Sequence, residues 1–281
     1  MSTSSETTAD FKSQFDKNAA QYEELTGGST RRIAEACIQW LPPPSSSLRI
    51  LDSACGPGIV TRLILDWARE QGVFPPPHIT AIDFAPGMIS QLEAQKSALE
   101  WNTVESRVLD AQSLEGMTDD SFDAIIMNFG IFALPNAEAG AREMLRVLKP
   151  GGTTIVTTWK SAGSVDLLVR AVHAIRPGDE DRVFPVSKDW FTAEKVKNTM
   201  TSGGFEEAKV HVHEVRTVWQ NSSIQNLVDA LSGPFWDRIW KGWTEEEKGR
   251  WRGEVEKQMT EEERSKCGLD MVAWVCVAVK D

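Results

Sequence analysis

The sequence has no apolar run near the roughly 20 residues that a membrane-spanning helix needs. Its first residues, Met-Ser-Thr-Ser-Ser-Glu-Thr-Thr, are polar and do not resemble a secretory leader. Together these two absences predict a soluble, cytoplasmic protein with no membrane partner.

Cysteine and metal-ligand patterns are also sparse. The four cysteines contain no CxxC pair and have no histidine at metal-ligand spacing: Cys37, Cys55, Cys267 and Cys276. A zinc site or a disulfide framework would need such patterns. We therefore expect no metal and four reduced thiols, as in a cytosolic protein.

Basic side chains are outnumbered, with 30 Lys and Arg against 41 Asp and Glu and a net charge of −11. A nucleic acid backbone would meet an unfavourable long-range field, so nucleic acid is disfavoured as a partner. The 281 residues are 41% hydrophobic and 25% charged, which is typical of a folded globular protein.

Tyrosine is almost missing: Tyr22 is the only one, against 11 Trp and 11 Phe. Eight of the tryptophans lie at or after Trp159. The second half of the chain is therefore the place where tryptophans accumulate.

A proline- and serine-rich segment, residues 42–47, separates an N-terminal helical segment from the rest of the chain. After it, apolar runs alternate with helical patterns, which predicts βαβ crossovers and a mainly parallel sheet. The five predicted strands are Leu48–Asp52, Ile79–Asp83, Arg107–Asp110, Ala124–Asn128 and Thr153–Trp159, and the helices between them are Val60–Gln71, Met88–Leu99 and Ala137–Leu148. Ligands of such sheets bind at the carboxyl edge of the strands.

Past Trp159 the alternation loosens. Lys209–Val215 and Val272–Val279 are predicted as two more strands, with a polar, helix-rich stretch at about Ile224–Lys266 between them. Within this stretch Thr244–Glu247 and Thr260–Glu263 match the capping box that begins a helix. We interpret the stretch as an insertion on the sheet and not as a separate domain.

The most informative segment is Arg49–Gly58, where a strand runs into a turn with glycines at 56 and 58. Glycine lets a ligand approach the backbone closely, although a plain tight turn has the same pattern. A dinucleotide fingerprint needs a small residue where Thr61 stands, and no Gly-Lys-Ser/Thr phosphate loop is present. These patterns favour a nucleoside-type ligand without a pyrophosphate.

Two acids end the next predicted strands. Asp83 ends the second predicted strand, where it can accept hydrogen bonds from both ribose hydroxyls or merely cap the following helix. Asp110 ends the third predicted strand and can accept from an adenine amino group or act as a cap.

Four segments in this order resemble the motifs of class I S-adenosylmethionine-dependent methyltransferases: Leu51–Gly58, Ile82–Met88, Phe122–Ile126 and Leu145–Gly152. The likeness covers about residues 10–160 and is strongest to the small-molecule branch related to ubiquinone-biosynthesis enzymes. It implies an α/β, Rossmann-like sheet of seven mainly parallel strands with an antiparallel last strand, helices on both faces, an N-terminal helical segment and a helical lid insertion. One departure is Ala54, since the family has glycine there.

The resemblance also implies the cofactor, S-adenosyl-L-methionine, and the residues that hold it. Segment Phe15–Tyr22 resembles the helix that such enzymes fold over the cofactor, which makes Tyr22 a candidate contact. The candidate cofactor-binding residues are Tyr22, Ala54, Cys55, Gly56, Asp83, Phe84, Met88, Asp110, Ala111, Asn128 and Phe129. We expect one domain over 1–281, with an N-terminal helical cap at 1–47, a cofactor-binding core at 48–160, and a substrate-side half at 161–281 whose lid spans about 224–266.

Methyl transfer from a sulfonium is an in-line displacement that needs alignment and the exclusion of water more than a protein nucleophile. A base is required only where the acceptor atom must first lose a proton. His173 is the candidate base, because it follows the fifth strand on the carboxyl side of the sheet; a satisfied structural histidine is the alternative. Asn128 is a cofactor contact or only a turn residue.

Trp236, Trp240 and Trp243 fall at i, i+4 and i+7, which predicts three indoles on one helical face. That face is a core stripe, the wall of an apolar pocket under a lid, or an oligomer interface. We name Trp159, Trp236 and Trp240 as candidate substrate residues, with Trp159 the most direct because it leaves strand five at the carboxyl edge.

The favoured function is methyl transfer to an O, N or S atom of a small, largely apolar metabolite, in the manner of secondary metabolism. Two alternatives stay open: a protein methyltransferase, and a cofactor-binding protein of this fold that performs non-methylating chemistry. The sequence leaves the substrate, the number of transfers and the oligomeric state open.

Overall fold

The computed structural model describes Ser13, Asp16, Ala19, residues 22–184 and residues 186–281, without the side chains of Tyr22 and Glu24. Within this part of the chain no helix combines the length and apolar character required to cross a bilayer.

Seven strands form one sheet in the order β3-β2-β1-β4-β5-β7-β6. Their bounds are β1 Arg49–Ser53, β2 His78–Asp83, β3 Val104–Val108, β4 Phe122–Asn128, β5 Leu148–Ala162, β6 Val210–Gln220 and β7 Gly268–Val279. Strands β1 to β5 pair in parallel, and β7 runs antiparallel to both β5 and β6. The predicted sheet and its antiparallel last strand are confirmed.

The α-helices of the described chain follow the predicted alternation. They are α1 Tyr22–Leu25, α2 Ser29–Cys37, α3 Ile59–Glu70, α4 Pro86–Ala98, α5 Ala137–Val147, α6 Gly163–Ile175, α7 Ala193–Ser202, α8 Ile224–Ala230, α9 Glu245–Lys257 and α10 Glu261–Lys266. Short 3₁₀ segments occur at Ile38–Trp40, Ile131–Ala133, Glu180–Val183, Lys188–Phe191, Glu207–Lys209 and Pro234–Trp240.

The two faces of the sheet are covered by different helices because successive strand residues point to opposite sides. On one face Ile50 packs in a cluster with residues of α2, α3 and α4. On the other face Leu51 packs with residues of α5 and α7. The central strands are apolar on both sides, as expected where helices cover both faces.

The stretch predicted as a lid consists of α8, the 3₁₀ segment Pro234–Trp240, α9 and α10, and it packs in a third cluster with α6 and the start of β7. Both predicted capping boxes are present, with the Thr244 and Thr260 hydroxyls accepting from the N–H groups of Glu247 and Glu263. The lid is therefore tied to the sheet by apolar contacts and begins its helices where the sequence indicates.

Two predicted elements are corrected. The third strand spans Val104–Val108, and Asp110 lies beyond its end because it opens a turn, in which its carboxylate accepts from the Gln112 N–H and its carbonyl accepts from the Ser113 N–H. The tryptophan stripe is not an α-helix: Pro234–Trp240 is 3₁₀ and Trp243 follows it outside any helix. With three residues per turn, the i+4 and i+7 spacing no longer shares one face.

Candidate active site

The turn after β1 has a left-handed backbone conformation at both of its glycines. Gly56 has φ of +55° and Gly58 has φ of +97°, both in the left-handed region. A Cβ built on Gly56 would meet no heavy atom within 4 Å. The space above Gly56 is therefore open, which leaves room for a ligand against the backbone.

Ala54 also lies in the left-handed region, with φ of +55°. A non-glycine residue there costs roughly 1–3 kcal/mol and persists only where its surroundings fix it. A Cβ added to Gly130 would lie 2.5 Å from the Ala54 Cβ, so Gly130 has no room for a side chain. Ala54 and Gly130 form a matched pair, and the methyl group points to β4 while the turn itself stays open.

Asp83, at the end of β2, has two functions open to it. Its Oδ2 accepts from the Gly56 N–H and its Oδ1 accepts from the Ala85 N–H, each at 2.9 Å. Burial raises the pKa of this carboxyl, against the lowering effect of those two hydrogen bonds. Each oxygen keeps a further lone pair for a ligand, so the loop contact and a ribose contact are compatible.

Thr61, the residue that argues against a dinucleotide fingerprint, holds Asp52. Its N–H and its hydroxyl both donate to Asp52 Oδ2, at 3.0 and 2.7 Å. Asp52 is fully buried, and burial raises its pKa to about 7 despite these bonds. This pair fixes the start of α3 beneath the glycine turn.

A first cavity opens at the carboxyl edge of β1, β2 and β4, and ten of the eleven predicted cofactor residues line it: Ala54, Cys55, Gly56, Asp83, Phe84, Met88, Asp110, Ala111, Asn128 and Phe129. The side chain of the eleventh, Tyr22, lies outside the described residues. The fold therefore brings these ten candidate cofactor-binding residues together around one cavity.

The acceptors and apolar surfaces of the first cavity suit a nucleoside. Asp110 is exposed, and its carboxylate accepts from the Gln112 N–H at 2.8 Å, so it lies at the cavity mouth. Met88 is 2% exposed and forms part of the wall. Two carboxylates and a thioether in one lining fit a ribose and an adenine ring better than a phosphate group.

Two described residues of the N-terminal segment, Asp16 and Ala19, contact the loop next to this cavity. Asp16 Oδ1 accepts from the Gly87 N–H at 2.8 Å, at the start of α4. Ala19 packs in a small cluster with Ala85 and Met88. The described part of the N-terminal segment therefore lies on the loop that follows Asp83.

A second cavity lies next to the first and is strongly aromatic. Its aromatic lining residues are Phe129, Phe132, Trp159, Trp190, Phe191, Trp219, Phe235 and Trp236. None of the described residues that line it is Asp, Glu, His, Lys, Arg, Cys or Tyr. Such a cavity suits an apolar, flat or ring-bearing molecule.

The two cavities share two lining residues, Thr30 of α2 and Phe129 after β4. The Phe129 ring stacks on Trp159 with centroids 4.1 Å apart. Thr30 and Phe129 form the wall between the first cavity and the aromatic second cavity, and we call these two residues the shared wall.

Of the candidate substrate residues, Trp159 and Trp236 line the second cavity. Trp240 does not line it: its ring packs edge-on against Trp251, as does the ring of Trp243. The structure thus divides the predicted tryptophan stripe, with one indole at the cavity and two in the lid core.

His173 is placed away from the candidate chemistry. Its side chain is 69% exposed and its Nδ1 lies 2.6 Å from Glu180 Oε1 on the surface. It lines neither cavity. The geometry therefore does not favour His173 as a general base, because α6 directs its ring to solvent. No group of metal-ligating side chains occurs among the described residues.

Sequence reasoning missed Thr30, Trp190 and Trp219 as site residues. Each comes from a separate element, and none has a local pattern that distinguishes it from a core residue. Trp219 is at one end of β6 and Trp190 is in a 3₁₀ segment. Only the packing of distant segments brings them together.

Comparison with known proteins gives consistent results. A family profile described as "Methyltransferase domain" matches residues 51–156. Methyltransferase ucsB of Acremonium sp is 29% identical over 76% of this chain and 75% of its own. The ubiquinone/menaquinone biosynthesis C-methyltransferase UbiE of Bartonella quintana is 36% identical, over 46% of this chain and 48% of its own.

A solved structure supports the fold. Haemonchus contortus phosphoethanolamine N-methyltransferase 2, in complex with phosphomonomethylethanolamine and S-adenosylhomocysteine, superposes with a TM-score of 0.55. The match covers 94% of this chain and 57% of that chain at 16% identity. At this identity the likeness concerns the fold alone.

Proposed function

We propose that the chain is a class I S-adenosylmethionine-dependent methyltransferase related to UbiE and that it methylates an O, N or S atom of a small, largely apolar metabolite. The observation that supports this proposal is the shared wall of Thr30 and Phe129 between a nucleoside-type cavity and an aromatic one.

In this proposal the first cavity holds the cofactor, S-adenosylmethionine, which supplies a methyl group activated on a sulfonium. Asp83 accepts from the ribose hydroxyls, and Asp110 accepts from the adenine amino group. Met88 packs against the adenine ring. Ala54 and Gly56 give the backbone surface of the turn.

The second cavity holds the substrate. Its indole and phenyl walls exclude water and bind an apolar ring system, with Trp159 and Trp236 in contact with it. The acceptor atom must lie near the shared wall, because methyl transfer requires the reacting atoms to be about 3–3.5 Å apart. This chain therefore contributes by binding the substrate, aligning its acceptor atom with the methyl group and excluding water.

Proton transfer is not assigned to a side chain of the described lining of the second cavity, since none of these residues is ionisable. An acceptor that is already unprotonated, such as an ionised oxygen or sulfur or a neutral amine, needs no base before attack. We therefore propose an acceptor atom that is nucleophilic in solution.

We propose the division of labour along the chain that the motifs indicate: a cap at 1–47, a cofactor core at 48–160 and a substrate-side half at 161–281. The lid cluster packs on α6 and β7 and contributes Trp236 to the second cavity. This placement supports a lid that shapes the substrate site.

The test is a two-step measurement. Calorimetric titration with S-adenosylhomocysteine should show binding at one site per chain. Incubation with methyl-labelled S-adenosylmethionine and a cell extract should then place label in the low-molecular-weight organic fraction. Label in the protein fraction alone would favour a protein substrate, and tight binding without any transfer would contradict methylation of a metabolite.

A further inference from the structure

Phe129, half of the shared wall, has a backbone conformation that needs an explanation. It follows directly after β4 and has φ of +57°, in the left-handed region. For a bulky residue this conformation is unfavourable and persists only where surrounding contacts fix it. Such residues cluster at functional sites, so the contacts that hold Phe129 in this conformation indicate which other residues serve the site.

The hydroxyl of Thr157 makes the contacts that fix the backbone of Phe129. Thr157 Oγ1 accepts from the Phe129 N–H at 2.8 Å and donates to Asn128 Oδ1 at 2.9 Å. Asn128 Nδ2 in turn donates to the Thr30 carbonyl at 3.2 Å. Thr157 is 0% exposed and lines neither cavity, so it touches no ligand itself.

This chain of bonds ends on both members of the shared wall. It holds the backbone of Phe129 at one end and that of Thr30 at the other. The Phe129 ring is then held nearly parallel to the ring of Trp159, at an interplanar angle of 24°. A buried hydroxyl that uses both its donor and its acceptor leaves this arrangement little freedom.

We propose that Thr157 is a positioning residue for methyl transfer, which sets the gap between cofactor and substrate by holding Asn128, Phe129 and Thr30. The proposal rests on the proposed function, because it places the transfer at the shared wall. Small displacements at such a point are costly: a misplacement of about 1 Å lowers the rate roughly a hundredfold.

The same strand provides a matched control. Thr158 is also 0% exposed, and its hydroxyl has no hydrogen-bond partner among the described residues. Thr→Val at either position removes a hydroxyl at nearly constant volume. Only Thr157→Val removes bonds to the shared wall, so a difference between the two variants isolates those bonds.

The direct readout is the indole N–H signal of Trp159 in an isotope-edited NMR spectrum, assigned by its loss in Trp159→Phe. Thr157→Val should shift or broaden this signal, because Phe129 no longer stacks at a fixed distance. Thr157→Ser keeps the hydroxyl and should restore the wild-type signal, and Thr158→Val should leave it unchanged.

The second readout is transfer of labelled methyl to the organic fraction of the extract. Thr157→Val should slow transfer more than tenfold while the affinity for S-adenosylhomocysteine changes less than about threefold, since misalignment acts on the chemical step. Thr157→Ser should recover most of the rate, which a role in stability alone would not predict.

A Thr157→Val protein with the wild-type Trp159 signal and rate would overturn the proposal, as would an equal loss in Thr158→Val. If Thr157→Val does not fold, Asn128→Ala breaks the same chain of bonds and should shift the Trp159 signal in the same way. A wild-type protein that transfers no label would refute the proposed function, whereas the Trp159 signal would still test whether Thr157 holds the wall.

Discussion

Replacing Asp52 with asparagine should make the stability of the protein less dependent on pH. Burial raises the pKa of Asp52 to about 7 in the folded protein, and the hydrogen bonds from Thr61 only partly oppose this effect. In the unfolded chain an aspartate titrates near its ordinary value of about 4. Between these two values the folded protein binds a proton that the unfolded chain has released.

The sign of the effect is set by this difference in bound protons. A carboxyl whose folded pKa is raised contributes stability that is complete below about pH 4 and is lost as pH rises to about 7. A shift of about three units corresponds to roughly 4 kcal/mol over the whole window, of which roughly 2–3 kcal/mol is lost between pH 5 and pH 8. Asp52→Asn cannot ionise, so it should escape this loss.

Urea unfolding of wild type and Asp52→Asn at several pH values measures the effect, and the difference between the two curves removes the contribution of titrating groups that do not interact with Asp52. The free-energy difference should move by roughly 2–3 kcal/mol in favour of Asp52→Asn between pH 5 and pH 8. Thr61→Val removes one bond to the carboxylate, so it should raise the folded pKa of Asp52 further and extend the loss of stability to higher pH. A difference that is constant across this range would refute the reasoning.

Three further predictions test the site, and one of them has a control substitution. Asp83→Ala should weaken S-adenosylhomocysteine binding by about a hundredfold or more, since two bonds to an ionised acceptor are worth roughly 1.5–3 kcal/mol each; unchanged affinity in calorimetry would limit Asp83 to the loop bonds. Trp159→Ala should raise KM for the acceptor isolated from the labelled fraction about tenfold and leave cofactor affinity nearly intact, whereas Trp240→Ala, outside the second cavity, should change thermal stability and not KM. His173→Ala should keep the wild-type rate of label transfer, and a lost rate in a protein of unchanged melting temperature would contradict its placement on the surface.

The sheet and the first cavity could be predicted from sequence because their signals are local. The turn at Gly56 and Gly58 and the acid at Asp83 occur at fixed distances from apolar runs, and parallel strands bring their carboxyl ends to one edge. Capping boxes are equally local, which explains why the starts of α9 and α10 are correct.

The second cavity could not be predicted in this way. Trp190, Trp219 and Phe129 are far apart in the chain and meet only through packing. The spacing of Trp236 and Trp240 predicts one face of an α-helix. Pro234 instead begins a 3₁₀ segment, whose period of three residues places the two indoles on different faces. His173 follows β5 on the expected side of the sheet. A helix turns through about 100° per residue, so the position of the helix does not determine where the His173 side chain points.

The position of β7 has a consequence for how the protein is made. β7 lies between β5 and β6, and both of these strands are synthesised before it. Until the ribosome has released Gly268–Val279, β5 and β6 each have an open edge that can pair with another chain. A nascent chain halted before Gly268 would carry β1 to β5 beside strand edges that β7 normally covers, so we expect pairing with another chain to be most favoured in the interval before β7 emerges.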